Sequence, residues 1–145
     1  MAIAKDAFLR SVNVLHRTVF RLSNGRVGGR GAGMPVLELT TTGRRTGNRR
    51  TVMLTSPVQE GDGIVLVASY GGDDRHPAWF LNLRDNPAVE ITMNGKAQPM
   101  HARIASSEEK AELWPRVVAG YKGYAQYQKR TGRDIPLVIL EPREE

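Results

Sequence analysis

One short segment, Thr41–Arg50 with the sequence TTGRRTGNRR, concentrates arginines and glycines. Glycines let the backbone approach a ligand closely, their N–H groups can point at an anion, and guanidinium groups match the oxygens of phosphates and carboxylates. The segment therefore predicts an anion-binding turn between two strands. A solvated basic hairpin tip and a nucleic-acid-contacting loop are the alternatives. It is not a Walker loop, because the GxxxxGK[ST] pattern is absent.

A second segment, residues 68–83, joins a Gly-Gly loop to a short helix that we expect to begin at Pro77. Loop N–H groups and a helix N-terminus favour an anionic or electron-rich ligand. Trp79 and Asn82 lie on this helix, although Trp79 is also a good candidate for the hydrophobic core. The segment is therefore a second candidate for the wall of a binding site.

Three of the four tyrosines recur at every third position, as Tyr121, Tyr124 and Tyr127. On a helix this spacing gives a slanting row along neighbouring faces. Such a row is typical of core packing. The residues between the tyrosines are small or polar, however, and so provide few apolar side chains for the rings to pack against. A mobile aromatic lid over a flat ligand is therefore the competing interpretation.

The chain lacks the residues for several other kinds of chemistry. It contains no cysteine, which excludes disulfides, thiolate metal sites and thiol nucleophiles. The three histidines are scattered, and the adjacent Asp73 and Asp74 are expected to point apart, so no metal site is predicted. No Ser-His-Asp or paired-carboxylate motif is recognisable. Binding groups without an obvious nucleophile are typical of an enzyme whose cofactor carries the reaction.

Strand signals and turns after Met34 indicate which elements position these segments. Alternating, β-branched stretches predict strands over 35–42, 49–58, 64–69, 89–93, 96–104 and 135–140. Turn residues at 43–48, 60–63 and 94–95 connect them as hairpins. A capping-box pattern at Ser106 predicts a helix from residue 107, and Pro115 is expected to divide the stretch up to 130 into two short helices. We therefore expect an α+β fold built on a small antiparallel β-barrel.

The N-terminal part differs in character from the rest. Residues 4–23 predict an amphipathic helix with one apolar stripe and several arginines elsewhere, and a glycine-rich stretch follows it. We therefore divide the chain into an N-terminal helix (1–24), a linker (25–33) and one folded domain (34–145). The helix could lie on a membrane surface or a partner, or fold back over a sheet edge. The sequence leaves these alternatives open.

Size and charge narrow the class of protein. The chain has 145 residues, the size of one domain, and a net charge of +6, which favours anionic partners. No apolar run approaches the ~20 residues of a membrane-spanning helix, and the N-terminus lacks a signal-peptide pattern. We expect a cytoplasmic protein, with a peripheral position at the inner face of the membrane as the alternative that the N-terminal helix allows.

Four motifs occur together in the folded domain. They are LTTxGRxxGxxR at 39–50, ASxGGxxxxPxWxxNL at 68–83, NPxV at 86–89 and YxxYxxYQ at 121–128. With them the chain, from about Val36 to Pro142, resembles the deazaflavin (coenzyme F420)-dependent nitroreductase family. Members are oxidoreductases that use reduced coenzyme F420 and have a split β-barrel fold. The resemblance implies hydride transfer to an electron-poor acceptor such as a quinone, a nitroaromatic or an α,β-unsaturated carbonyl.

The resemblance also implies roles for individual residues. The phosphate and acidic tail of the deazaflavin are expected at Arg44, Arg45, Thr46, Gly47 and Arg50. The residues implied beside the ring and its ribityl chain are Ser69, Tyr70, Trp79 and Asn82. Those implied over the ring, at the acceptor, are Tyr121, Tyr124 and Tyr127. The balancing proton is expected from Ser69, Tyr124 or water.

Three other classes of protein compete with this interpretation. A flavin-nucleotide or haem enzyme on the same fold is the nearest, and the long acidic tail of the deazaflavin separates the two. A nucleic-acid-binding module explains the basic charge, but its stacking aromatics would be interleaved with the basic turn. A role at a membrane surface would account for the amphipathic pattern of residues 4–23, but not for the four motifs after Val36. We therefore expect a small-molecule acceptor and no nucleic acid as partner, and the sequence does not indicate the oligomeric state.

Overall fold

The structure is a computed structural model that describes residues 30–31 and 33–143. The helix predicted over residues 4–23, and most of the glycine-rich linker after it, lie outside the described residues. The predicted division of the chain at residue 34 therefore stays a prediction.

Strands dominate the described part of the chain. The strands are β1 (Arg30–Gly31), β2 (Met34–Thr42), β3 (Arg49–Thr55), β4 (Val58–Glu60), β5 (Gly63–Val67), β6 (Ala88–Met93), β7 (Lys96–Ile104) and β8 (Leu137–Pro142). The helices are α1 (Ala78–Asp85), α2 (Ser107–Gly120) and α3 (Gly123–Arg130), and a 3-10 turn covers Tyr70–Gly72. The strands form one sheet in the order β1-β2-β6-β7-β8-β5-β4, with β3 also paired to β2. Every pairing is antiparallel.

The two ends of this sheet are joined by Ser56 and Pro57, between β3 and β4. The amide of Ser56 donates to the carbonyl oxygen of Pro35 over 3.1 Å. Its hydroxyl oxygen lies 2.9 Å from the carbonyl oxygen of Val58 and 2.7 Å from that of Val65. These bonds satisfy the polar atoms of a fully buried serine. The sheet therefore curls until β3 and β4 come together, and the predicted split β-barrel is confirmed.

Period-2 alternation along the strands produces a core on each side of the sheet. Ile64 and Leu66 point into the barrel and pack with Trp79 and Phe80 of α1. Val65 and Val67, on the other face, belong to a second cluster with residues of α2 and α3. The tyrosine-bearing helix thus lies against the outer face of β5, and α1 closes the barrel from within.

Most predicted elements are confirmed, but the strand predicted over 49–58 ends at Thr55, before Ser56 and Pro57, and one helix boundary is also wrong. The capping box forms as predicted, with Ser106 and Glu109 exchanging hydrogen bonds at the start of α2. Pro115 lies inside α2 and does not divide it, although an interior proline removes one helical hydrogen bond and often kinks or ends a helix. The helix ends instead at Gly120, where Tyr121 turns to an extended conformation. Within the described residues, no helix is long and apolar enough to cross a membrane.

Candidate functional site

A cavity of about 800 Å³ lies between the β2–β3 turn and α1. We call it the basic pocket. Its lining residues are Thr41, Gly43, Arg44, Arg45, Thr46, Arg49, Arg50, Thr51, Val52, Ala78, Trp79 and Asn82. The two segments that the sequence singled out first therefore form opposite walls of one cavity.

The turn at the mouth of the basic pocket is shaped by its glycines. The amide of Gly43 donates to the carbonyl oxygen of Asn48 over 2.7 Å, and the amide of Gly47 donates to that of Gly43 over 2.8 Å. A Cβ at Gly43 would lie 3.1 Å from the Asn48 oxygen. Gly47 has a φ of +75°, which favours glycine. Both glycines serve the tight turn, and Gly47 itself does not line the pocket.

Asn82 attaches this turn to α1. Its side-chain oxygen accepts from the backbone amide of Arg44 over 3.1 Å, and its side-chain nitrogen donates to the Thr41 hydroxyl over 3.1 Å. Asn82 is buried, so these partners are the ones that stabilise it. The sequence-based expectation placed Asn82 beside the ribityl chain. The structure shows its amide bonded to the basic turn, and the position beside the ribityl chain stays a prediction.

Much of the positive charge in this pocket is uncompensated. Arg49 pairs with Glu90 at 3.5 Å, but within the described part of the chain neither Arg45 nor Arg50 has an acidic partner, and the Arg44 guanidinium contacts the Asn82 oxygen at 3.4 Å. Arg103, outside the pocket, instead pairs with two carboxylates at 2.8 Å. Exposed guanidinium groups that converge on one cavity suit a ligand with several negative charges.

A second cavity, of about 390 Å³, adjoins the first at Trp79, which lines both. We call it the tyrosine pocket. Its other lining residues are Met34, Leu54, Thr55, Val67, Ser69, Tyr70, Gly71, Pro77, Tyr121, Tyr124 and Tyr127. It carries no charged side chain among these residues. A flat, uncharged molecule matches this lining better than an anion.

The three tyrosines form one wall of the tyrosine pocket. The ring of Tyr124 lies 5.1 Å from that of Tyr121 and 6.2 Å from that of Tyr127, both edge to face. Tyr124 is buried, whereas Tyr121 and Tyr127 are half-buried. The core-packing interpretation therefore holds for Tyr124, which is buried and also lines the cavity, whereas Tyr121 and Tyr127 are more exposed to it.

Two phenols in this wall are held in the protonated form at neutral pH. Burial raises the pKa of Tyr124, and a hydrogen bond with Tyr121, together with burial, raises the pKa of Tyr127. The hydroxyl oxygen of Tyr124 lies 3.4 Å from that of Thr55 and 3.8 Å from the sulfur of Met34. These long contacts leave the Tyr124 hydroxyl available to a bound molecule.

Ser69 lies on the opposite wall of the tyrosine pocket, at the end of β5. It is 7% exposed, and its hydroxyl has no partner among the described residues. A buried hydroxyl without a partner is costly unless a ligand or water completes it. The next residue, Tyr70, has a φ of +46° and contacts the Arg75 guanidinium through its ring. The Ser69 hydroxyl is therefore a polar group in the pocket wall that a ligand could complete, and its predicted contact with a ligand stays a prediction.

The tyrosine row is closely packed at both of its ends. A Cβ at Gly120, the last residue of α2, would lie 2.8 Å from the carbonyl oxygen of Pro57, and a Cβ at Gly72 would lie 2.9 Å from that of Tyr127. The row is therefore a packed wall in this structure, and its role as a lid over a ligand stays a prediction.

The structure brings the predicted residues into two groups and adds others. Five predicted residues line the basic pocket and not the tyrosine pocket: Arg44, Arg45, Thr46, Arg50 and Asn82. Met34 and Thr55, which approach Tyr124, were not predicted, because they lie at strand ends outside every motif. Among the residues that the structure describes, no group of three or more His, Cys, Asp or Glu side chains could hold a metal ion.

Solved structures with this architecture include F420-dependent reductases. One described as an F420-H2 dependent reductase is 39% identical, with a TM-score of 0.67 over 74% of this chain and 94% of its own. A second, described as a domain-swapped dimer, is 36% identical, with a TM-score of 0.69 over 88% of this chain and 96% of its own. The haem storage protein HutZ of Vibrio cholerae, at 20% identity and a TM-score of 0.54, shares the fold alone.

Sequence relatives identify the family. An F420H(2)-dependent quinone reductase of Mycobacterium tuberculosis H37Rv is 41% identical over 133 residues, which cover 89% of each chain. The family model for F420H(2)-dependent quinone reductase matches residues 13–142, and so extends further toward the N-terminus than the predicted resemblance. The predicted F420-dependent oxidoreductase class is confirmed: the chain belongs to the F420H(2)-dependent quinone reductase family.

Proposed function

We propose that this chain reduces quinones with reduced F420, and that each of its two pockets binds a different part of the reacting pair. The basic pocket binds the anionic part of the coenzyme, and the tyrosine pocket holds the flat acceptor against it. The observation that carries this proposal is the junction of the two cavities at Trp79. One cavity has uncompensated positive charge and the other has aromatic walls without charge, so one extended anionic coenzyme and one neutral acceptor fit side by side.

The side chains of the basic pocket fit this coenzyme. F420 carries a phosphodiester and an oligoglutamate tail, and therefore needs several cationic partners along one surface. Arg44, Arg45 and Arg50 supply them without competition from acidic side chains of the described chain. A flavin nucleotide, with its terminal phosphate and no acidic tail, would leave part of this charge unused. The pocket therefore favours the deazaflavin over the flavin nucleotide.

The tyrosine pocket orients and shields the reacting molecules. Reduced F420 supplies the hydride when it is bound. The rings of Tyr121 and Tyr127 provide flat contact surfaces, and the buried rings of Tyr124 and Trp79 exclude water behind them. Holding two flat molecules in one orientation removes much of the entropic barrier to their reaction. The aromatic rings of this pocket therefore contribute to the reaction by positioning the acceptor and the coenzyme.

Reduction of a quinone to a hydroquinone also needs a proton. Ser69 and Tyr124 both line the tyrosine pocket, and the Tyr124 phenol, like any tyrosine, is protonated at neutral pH. The Ser69 hydroxyl lacks a protein partner within the described residues and can orient the acceptor oxygen or a water molecule. We assign proton supply to Tyr124, and orientation of the acceptor or water to Ser69.

The charge assignment is tested by titrating the protein with F420 and following the coenzyme's fluorescence. Charge-assisted hydrogen bonds are worth about 1.5–3 kcal/mol each, so the double variant Arg45→Ala, Arg50→Ala should bind F420 at least about tenfold more weakly. Arg116→Ala is the matched control, because Arg116 is exposed, lines neither pocket and pairs at 3.4 Å with Glu60. Added flavin mononucleotide should not displace F420. Equal dissociation constants for the double variant and the wild type would refute the assignment.

A further inference from the structure

Arg133 follows α3 and contacts three groups of a distant loop. Its Nε donates to the carbonyl oxygen of Asp73 over 2.9 Å, and one terminal nitrogen donates to that of Ser69 over 2.9 Å. The other terminal nitrogen lies 3.2 Å from Nδ1 of His76. Because a guanidinium group only donates, Nδ1 of His76 must accept, and the imidazole proton lies on Nε2. All three nitrogens of Arg133 are thus used on one loop.

The loop that Arg133 holds has an unfavourable backbone. Tyr70, Gly71 and Gly72 have φ angles of +46°, +64° and +83°, one after another. A tyrosine with positive φ is uncommon and persists only where the surroundings enforce it. The Arg133 bonds to Ser69 and Asp73 bracket these three residues on both sides. Arg133 therefore fixes the ends between which the strained segment is formed.

The same contacts join the two walls of the tyrosine pocket. Ser69 and Tyr70 belong to the loop wall, and Tyr127 belongs to α3, shortly before Arg133 in the sequence. The Thr131 hydroxyl donates to Asp74 over 2.7 Å and reinforces the connection. The distance between the Ser69 hydroxyl and the tyrosine rings therefore depends on Arg133, which itself does not line the pocket.

We propose that Arg133 is a positioning residue of the reductase, which sets the geometry of the acceptor pocket by holding the loop of Ser69 and Tyr70 against the tyrosine wall. The inference rests on the proposed function for its kinetic consequence. Its structural consequence, a loop fixed by Arg133, stands by itself. Binding of the coenzyme tail in the basic pocket should be independent of Arg133.

The test compares Arg133→Lys and Arg133→Ala with the wild type. Lysine keeps the charge, but its single ammonium group cannot reach three acceptors. Arg103→Ala is the matched control, because Arg103 also makes several side-chain bonds, to Glu109 and Glu141, and lines neither cavity described above. We would measure amide hydrogen exchange over residues 69–74 without ligand, F420 affinity by fluorescence, turnover of menadione, and melting temperature.

Both Arg133 variants should show faster exchange at the Gly72 and Asp73 amides and a kcat/KM for menadione that is lower by about tenfold or more, because small misplacements in a site are costly. F420 affinity should change by less than about threefold. Millimolar guanidinium chloride should partly restore turnover to Arg133→Ala, and sodium chloride should not. Arg103→Ala should lower only the melting temperature.

Unchanged loop exchange in Arg133→Lys would overturn the proposal. So would altered exchange with unaltered menadione kinetics, or a kinetic loss that Arg103→Ala shares. A parallel loss of F420 affinity would also overturn it, because Arg133 would then act on the coenzyme. If the wild type does not reduce menadione with reduced F420, the proposed function fails, and the exchange measurement still decides whether Arg133 fixes the loop.

Discussion

The side-chain oxygen of Asn82 accepts a hydrogen bond from the backbone amide of Arg44 over 3.1 Å, and so links the helix in the barrel to the tip of the basic turn. The two residues are far apart in sequence, and each belongs to a different motif. Their contact explains why the motifs occur together: one supplies the cationic groups, and the other holds them at the pocket.

The Asn82→Ala variant should lose both stability and coenzyme affinity. It leaves the Arg44 amide and the Thr41 hydroxyl without their partner, which should lower the free energy of unfolding by about 1–3 kcal/mol. Asn86→Ala is the control, since Asn86 is exposed at the end of the same helix and bonds only its own turn. Urea unfolding and F420 titration measure the two effects. A variant that is destabilised yet binds F420 normally would show that Asn82 does not position the turn.

Tyr124 should separate the roles of ring and hydroxyl. Tyr124→Phe loses only two long contacts, so its free energy of unfolding should change by less than about 1 kcal/mol. If Tyr124 supplies the proton, kcat for a quinone should fall at least about tenfold. Tyr124→Ala should also lose about 3 kcal/mol or more of stability, because it opens a cavity in the core. Full activity of Tyr124→Phe would leave proton supply to Ser69 or water.

Two glycines near the tyrosines should respond differently to alanine. At Gly120 a Cβ would lie 2.8 Å from the Pro57 carbonyl oxygen, whereas at Gly132 nothing lies within 4 Å. Gly120→Ala should therefore destabilise the protein by about 1–3 kcal/mol, as overpacking does, and Gly132→Ala should be nearly neutral. Thermal unfolding measures both. Equal melting temperatures for the two variants would show that the structure around Gly120 accommodates a Cβ, and would contradict the prediction.

His76 should titrate below its ordinary range. Burial lowers its pKa, and the positive charges of Arg133 and Arg84 lower it further. The native state then binds fewer protons than the unfolded state, so stability should fall as the pH drops from about 6.5 through the native pKa. Titration of the ring protons by NMR measures this pKa, which Arg133→Ala should raise. A native pKa at or above that of a free histidine would contradict the prediction.

Removal of residues 1–29, which leaves β1 in place, tests the predicted N-terminal helix. The pattern of residues 4–23 favours contact with a membrane or a partner, with a cover over a sheet edge as the alternative. If contact is the role, the shortened chain should keep its melting temperature, and the full chain should sediment with anionic liposomes. A large drop in melting temperature, without lipid binding by the full chain, would instead show a structural role.

Local signals in the sequence were sufficient for much of the fold. The Asn94–Gly95 turn forms as predicted because both residues adopt positive φ, which their types favour. The capping box of Ser106 is equally local. The closure of the barrel through Ser56 could not be predicted, because it depends on carbonyl groups of Pro35 and Val65 that only the folded sheet brings together.

The same distinction applies to the site. The basic turn can be predicted because its arginines lie close together in the sequence. The bonds by which Asn82 and Arg133 hold other segments cannot be predicted in this way, because each residue contacts backbone groups 38 or more positions away. The deeper burial of Tyr124 within the tyrosine row could not be predicted either, because its hydroxyl contacts Met34 and Thr55, which come from strands distant in sequence.

The uncompensated arginines also make the stability of this protein depend on coenzyme supply. Arg44, Arg45 and Arg50 line one cavity without acidic partners among the described residues, and an anion that binds them only in the folded state stabilises that state. By mass action, a ligand present at 100 times its dissociation constant adds about 2.7 kcal/mol to the free energy of unfolding. A cell that runs short of F420 would therefore lose not only the reaction but part of the enzyme population, to unfolding and proteolysis.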